Sequence, residues 1–490
     1  MTVSNTPDSS DLGKAKGKAT IPSISTAQLS LVDQLVQWAE QRIQMQVFRP
    51  GMRMPSVRQL ALDRGVSRFT VVEGYERLVA RGHLQARRGA GFFVRDTAPA
   101  PSARRKAPPR TDKPMDMGWL VRNMQFGMAP AKSPGNGYLP PELCGGDLLK
   151  VGMRALAASP AAQFSRAALA QGYLPLREQL VRKLAELEIA SSPGNIMTTS
   201  GATQGVDLIA RKYLRPGDTV LVGDPAWSAQ LGALALTGAK MVGVPYTSQG
   251  PDVNALGRLA EQHRPKMLLI NSALHNPTGT LLSAAVAHQI LRIADAHDIM
   301  VVEDDIYADL VPSGLPTARL ACLDQLRRVI YLGSFSKVLV PGIRVGYLAA
   351  RAEVVEALAE LKLLTALATP ELNERMVYRA LTEGSFRKHC QRVQLALEAT
   401  REPWLKRMEG LGLTSFCRPQ AGFLGWFDAG VDTNLLAALG LEAGYRFAPG
   451  ALFSPDQTPN SMLRMNAVTS NDAGMLSWLA QTLKTLRTGK

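Results

Sequence analysis

The 490-residue sequence predicts an α/β protein in two parts, a small helical head closed by a β-hairpin and a large body on a mostly parallel sheet. Three observations predict it. From about residue 117 to the end, apolar strand-like runs alternate with helical patterns, which is how a mostly parallel sheet with covering helices reads. Ahead of that lies a compact segment, residues 27–96, where helical periodicity gives way to two short strand-like pieces. Between them runs DTAPAPSARRKAPPRTDKPMDMG, whose prolines deny it regular hydrogen bonding, so residues 97–116 read as an extended linker. Residues 1–25 are rich in Ser, Thr, Lys and Gly, carry no apolar period, and read as a disordered arm.

Charge and composition narrow the function. The chain carries a net charge of +15, and residues 1–115 hold 19 Lys and Arg against 9 Asp and Glu. Two-thirds of the excess therefore sits in under a quarter of the chain, which points to a polyanion partner for the head. No apolar run is long enough to cross a bilayer. The N-terminus is polar, without the apolar stretch of a secretory signal, so a cytoplasmic protein is expected. Cys144, Cys322, Cys390 and Cys417 are far apart and form no metal spacing, so no metal site and buried free thiols are expected.

In the head, Val32, Leu35, Ala39 and Ile43 recur at helical steps, and Arg49-Pro50-Gly51 ends that helix. Ser56 can cap a second helix, with Gln59 at the reciprocal capping-box position. Gly65-Val66-Ser67 makes a tight turn, and Ser67 caps a third helix that buries Val71, Val72, Tyr75, Leu78 and Val79. Arg68, Phe69 and Thr70 begin its other face. Two short helices joined by a Gly turn make a helix-turn-helix, whose second helix meets DNA by its N-terminal end. HLQARRGAGFFV then reads as a hairpin wing with a basic tip.

MPSVRQLALDRGVSRFTVVEGYERLVARGHLQARRGAGFFV resembles the winged helix-turn-helix head of the GntR family of bacterial regulators. The resemblance implies that Arg58, Ser67, Arg68, Thr70 and the wing residues Arg87, Arg88 and Gly89 contact DNA. Arginine can grip guanine or phosphate, and Ser and Thr hydroxyls can bind phosphate oxygens.

In the body, several motifs appear in an order that suits one cofactor. Ser334-Phe335-Ser336-Lys337 follows the strand-like Val329–Leu332, and a lysine there can condense with an aldehyde. Val301–Tyr307 places carboxylates at a buried strand end, where an Asp can hold a pyridinium nitrogen. After the strand from Lys266 to Asn271, His275-Asn276-Pro277-Thr278-Gly279 offers an amide to a phenolic oxygen. Ser200-Gly201-Ala202-Thr203-Gln204 precedes a helix and can cradle phosphate on backbone N–H groups. Trp227 follows the strand Thr219–Val222 and can stack on a flat ring. Arg344 can pair with phosphate.

Together these motifs resemble the fold-type I aminotransferases across residues 117–490, with a smaller C-terminal α/β subdomain at roughly 375–490. The resemblance implies pyridoxal 5'-phosphate in Schiff-base linkage to the catalytic Lys337. It pairs Asp304 with the ring nitrogen, sets Tyr307 and Asn276 on the ring oxygen, and stacks Trp227 on the ring. Gly201, Ala202, Thr203, Ser334, Ser336 and Arg344 hold the phosphate. Arg464, in Ser461–Asn466, grips a substrate carboxylate. One position departs from the family pattern: Ala167 stands where relatives place a tyrosine that reaches the partner subunit, leaving Tyr173 as a substitute or the contact absent.

A GntR-like head joined to such a body resembles the MocR subfamily of regulators, and PGNGYLPPELCGGDLLKVGMRAL is similar to the opening of those bodies. The implied protein is a homodimer on double-stranded promoter DNA, with a small amino compound or the cofactor as effector. The groups for full transamination are all present. An active aminotransferase with a weak head, or a cofactor enzyme with a protein-docking head, therefore remain rival readings.

Overall fold

The computed structural model describes residues 30–45, 47–87, 89–95, 132–160, 165 and 167–488. The expected arm, the linker, Arg88 and residues 117–131 lie outside the described residues. The chain divides into two compact units, residues 1–112 and 113–490. Among the described residues, no helix is long and apolar enough to cross a membrane.

The first unit contains α1 (Leu31–Gln44), α2 (Val57–Arg64), α3 (Arg68–Ala80) and a hairpin of β1 (Leu84–Arg87) and β2 (Gly91–Val94). Each helix starts on a serine that accepts a bond from its own first turn: Ser30 from Asp33, Ser56 from Gln59 and Ser67 from Thr70. The expected capping box at Ser56 is only half made, because the Gln59 amide donates to Asp63 at 2.8 Å instead of turning back. Gly65 ends α2 in the left-handed conformation, φ 63°.

The stripe of α3 also departs slightly from expectation. Val71, Tyr75 and Leu78 are buried, while Val72 and Val79 are half-buried. Gly74 joins the buried face, since a Cβ there would stand 2.6 Å from Leu35 Cδ2. Its missing side chain lets α1 and α3 close on each other. The Tyr75 hydroxyl donates to the Pro55 carbonyl at 2.9 Å, tying α3 to the entry of α2.

The second unit is built on an eight-stranded sheet in the order β3-β10-β9-β8-β7-β4-β5-β6. Its strands are β3 (Ile196–Thr199), β4 (Thr219–Asp224), β5 (Lys240–Thr247), β6 (Gly250–Pro251), β7 (Met267–Asn271), β8 (Met300–Asp304), β9 (Val329–Ser334) and β10 (Gly346–Ala349). The central pairings β5/β4, β4/β7, β7/β8 and β8/β9 are parallel. β10 runs antiparallel to both β3 and β9. The C-terminal ends of β3, β4, β7, β8 and β9 therefore open on one edge, where ligands sit in open α/β sheets. The strands β3, β9 and β10 are buried along their whole length, so they show no inside–outside alternation.

A second, antiparallel sheet has the order β11-β12-β14-β13, with β11 (Thr414–Ser415), β12 (Leu424–Asp428), β13 (Ala448–Pro449) and β14 (Met462–Asn466). The segment that opens the body joins this sheet. Gly135 N–H donates to the Arg446 carbonyl at 3.0 Å, and Asn466 N–H donates to the Pro134 carbonyl at 2.8 Å. A boundary drawn at residue 375 leaves this early strap out. The four cysteines are free, but only Cys390 is buried; Cys144, Cys322 and Cys417 are half-buried, against the expectation of buried thiols.

Candidate cofactor site and nucleic-acid interface

The predicted cofactor residues converge on the shared strand edge. Gly201–Thr203 follow β3, Trp227 follows β4, Asn276 follows β7, Asp304 ends β8, and Ser334, Ser336 and Lys337 close β9. A cavity of about 1120 Å³ is lined by Ala202, Thr203, Trp227, Ser336, Lys337 and Arg344, among others.

Three neighbouring carboxylates are sorted by strand alternation. Glu303 accepts the backbone N–H groups of Leu320 and Ala321 at 2.9 and 2.7 Å, capping the helix Leu320–Asp324. Asp305 accepts from Arg319 at 2.6 Å and from the Tyr331 hydroxyl at 2.9 Å. Asp304 alone turns to the site, where Gln230 Nε2 donates to it at 2.6 Å. Burial, which disfavours the charged form, pushes its carboxyl up to about 7. A cation opposite it would restore the charge.

Lys337 is enclosed by aromatic rings. Its Nζ lies 4.1 Å from the Tyr138 ring centroid and 5.5 Å from that of Tyr307, and it donates to the Gly137 carbonyl at 2.9 Å. Burial, then the positive charge of Arg464, lowers its ammonium to about 7, against the opposing pull of Asp304. That is a lysine held near its neutral, nucleophilic form.

At the other end of the cavity, Gly201 enters the helix Ala202–Tyr213 at φ 85°, ψ 162°, a conformation open almost only to glycine. A Cβ on Gly201 would stand 2.3 Å from Arg344 Nη2. Arg344 donates to the Ser200 carbonyl at 2.9 Å and to Ser336 Oγ at 3.2 Å. Helix N–H groups, two serine hydroxyls and a guanidinium thus gather at one point, a donor set that fits phosphate.

Arg464 sits on β14 between Trp426 and Ala448. It is fully buried, donates to Asn276 Oδ1 at 2.8 Å and to the Gly135 carbonyl at 2.6 Å, and leaves Nε without a partner. Among the described residues no carboxylate pairs with it. Burial lowers it to about 10. A buried guanidinium without an acid is a ready carboxylate site. Asn276 also donates to the Tyr307 hydroxyl, at 3.4 Å.

Tyr173 is engaged elsewhere. Its ring lies 4.4 Å below the Arg375 guanidinium and edge-on to Tyr378, and its backbone N–H donates to Glu374. His275 is a packing residue, stacked 4.0 Å from Tyr246, bonded to Thr278, and pushed down to about 3 by burial.

In the head, Arg58, Ser67 and Arg68 are exposed, and Thr70 is half-buried. Arg58 and Arg68 make no ion pair among the described residues. Two head arginines are neutralised, Arg77 by Asp33 and Glu73 and Arg81 by Glu40. The Ser67 and Thr70 hydroxyls bond each other at 2.8 Å, so both serve the cap of α3 as well as any phosphate. Gly89 turns the wing at φ 73°, and Arg87 lies over the Phe93 ring at 4.5 Å.

Two family models match this chain. Bacterial regulatory proteins of the gntR family match residues 31–94, and aminotransferase class I and II matches residues 146–476. The HTH-type transcriptional regulator TauR of Rhodobacter capsulatus is 30% identical over 94% of this chain and 97% of its own. The chain belongs to the MocR-type regulators. Its body alone is also similar to 2-aminoadipate transaminase of Thermus thermophilus, at 31% identity over 62% of this chain and 77% of that one. Among solved structures, LysN, the α-aminoadipate aminotransferase of Thermus thermophilus, complexed with N-(5'-phosphopyridoxyl)-L-leucine, superposes with a TM-score of 0.66. That match has 27% identity and covers 76% of this chain and 94% of that one.

Several residues that build this MocR-type site were not singled out from sequence. Tyr138, Gly135 and Gly137 come from the strap, whose signal was the GNGY run. Gln230 is a buried glutamine on the helix Ser228–Ala235. Asn271 accepts from the Asn276 N–H at 2.8 Å and donates to the Asp304 carbonyl at 2.6 Å, holding two site loops together.

Proposed function

We propose that this chain is a pyridoxal-phosphate-dependent, DNA-binding transcription regulator whose body senses the cofactor or a small amino compound. The observation that carries the reading is the joining, in one chain, of a basic winged head to a body that brings a half-buried lysine, a buried carboxylate and a buried guanidinium without an acid partner to one cavity. Bound there, pyridoxal phosphate supplies an aldehyde that captures primary amines and a ring that withdraws electrons from the amine's carbon.

The chain's own groups do the rest. Lys337 would carry the cofactor's aldehyde, and its amine, lowered toward pH 7, would serve as a base for the α-proton of a bound amine. Asp304 would hold the ring nitrogen, and Tyr307 and Asn276 would bond the ring oxygen. Trp227 would cover the ring. Gly201, Ala202, Thr203, Ser334, Ser336 and Arg344 receive the phosphate. Arg464 exchanges the Gly135 carbonyl for a ligand carboxylate. Arg58, Ser67, Arg68, Thr70 and the Arg87–Gly89 tip meet double-stranded promoter DNA. The protein acts in the cytoplasm as a homodimer, so paired heads match a two-part operator.

Fluorescence anisotropy of the holoprotein on its own upstream intergenic DNA tests the reading. It requires a scrambled competitor, two salt concentrations, and samples with and without pyridoxal phosphate. Binding that resists the competitor and changes with cofactor supports it. Binding equal to scrambled DNA and lost in modest salt overturns it, since phosphate contacts alone behave that way. The completeness of the site also favours a second reading, an active aminotransferase. Formation of a keto acid from an amino acid donor by the purified protein distinguishes that case.

A further inference from the structure

We propose that Phe69 is a specificity-determining residue that reads the 5-methyl group of thymine in the operator's major groove. The proposal rests on the DNA-binding reading of the head. Phe69 is the second residue of α3, two positions before the buried Val71 and so on the opposite side of the helix. It is 75% exposed, whereas Phe416 in the body is only 37% exposed. It makes no ring contact among the described residues. A bare phenyl ring at this point contributes nothing to the core of the head.

Its surroundings name the occupant. Phe69 stands between Arg68 and Thr70, at the helix end that meets base edges in this motif. Arg58 and Arg68 are exposed and without an acid partner, while Arg77 and Arg81 farther along α3 and at its end are neutralised. Unpaired positive charge thus adjoins the ring at Arg68 and stands on the same exposed head at Arg58, as a duplex requires and an apolar protein partner does not. A phenyl ring neither donates nor accepts hydrogen bonds. Among major-groove base edges, the apolar group it can contact is the thymine methyl.

Replacing thymine by deoxyuridine removes that methyl and leaves the base-pairing groups intact. The full-length holoprotein is titrated with the shortest upstream intergenic duplex it protects, made with thymine or with deoxyuridine at each position in turn. The wild type should lose about fourfold in affinity at the position read, the worth of one apolar carbon. Phe69→Ala should bind the thymine duplex that much more weakly and be indifferent to the substitution. Phe69→Leu, which keeps an apolar side chain, should retain part of the discrimination.

A wild type indifferent to deoxyuridine everywhere overturns the proposal. So does a Phe69→Ala protein with the wild-type penalty. In both cases preference for the operator over scrambled DNA persists and the regulator reading stands. Loss of that preference in the wild type overturns both together, a separate and recognisable result.

Discussion

Arg464 donates to the side-chain oxygen of Asn276 at 2.8 Å, joining the small antiparallel sheet to the loop that follows β7. Asn276 in turn reaches the Tyr307 hydroxyl, so the buried Arg464 guanidinium and the Tyr307 hydroxyl share one amide. Arg464 also holds the Gly135 carbonyl, which makes the strap's backbone the present occupant of the place a ligand carboxylate would take. Arg464→Lys keeps the charge and loses the two-pronged grip. Pyridoxal phosphate should still bind. The amino acid concentration needed to shift its visible spectrum should rise roughly tenfold to a hundredfold, the worth of a hydrogen bond to a charged group. An unchanged midpoint in an absorbance titration would contradict this role.

Gly201 and Arg344 make a second coupled pair. The glycine's φ of 85° and the 2.3 Å approach of Arg344 Nη2 leave no room for a methyl group. Gly201→Ala should displace Arg344 and weaken cofactor binding roughly tenfold or more, from backbone strain of about 1–3 kcal/mol and the lost phosphate contact. Equilibrium dialysis of the apoprotein against pyridoxal phosphate measures this. Arg344→Ala should weaken binding comparably, and the double variant should add little.

The lysine sets a pH signature. Burial and Arg464 hold the Lys337 ammonium near 7, below its usual value, so the neutral amine prevails above that pH. Capture of pyridoxal phosphate by the apoprotein should accelerate about tenfold per unit below pH 7 and level off by about pH 8. An ordinary exposed lysine would keep accelerating past pH 9. Stopped-flow absorbance separates the two curves.

Much of this site was legible because its pieces are local. Lys337, Asp304 and Gly201 each sit in a short motif at the end of an apolar run, and parallel topology brings such ends to one edge. The strap was not legible. Gly135 and Gly137 reach Arg464 and Lys337 across more than 190 residues, and no periodicity encodes a backbone carbonyl as a partner. The sorting of Glu303, Asp304 and Asp305 became clear only with the register of β8 beside β9. In the head, a glycine inside a helical stripe reads as a weakness, and only the Leu35 contact explains Gly74.

The head yields one stability prediction. Ser67 caps α3 at 3.0 Å and also meets the Thr70 hydroxyl. Ser67→Ala should cost about 1 kcal/mol, which speeds hydrogen exchange at the α3 amides roughly fivefold. Amides of the body should be unaffected, since the two units have separate cores. Operator affinity should fall as well if the hydroxyl also touches phosphate.

The strand-edge constellation around Lys337 is a pyridoxal-phosphate site. Borohydride reduction of the reconstituted protein, followed by peptide mass mapping, tests it most directly. One phosphopyridoxyl group per chain should appear on Lys337, absent from Lys337→Ala along with the visible absorbance band. Label on other lysines with Lys337 unmodified, or an unchanged spectrum in Lys337→Ala, would contradict it.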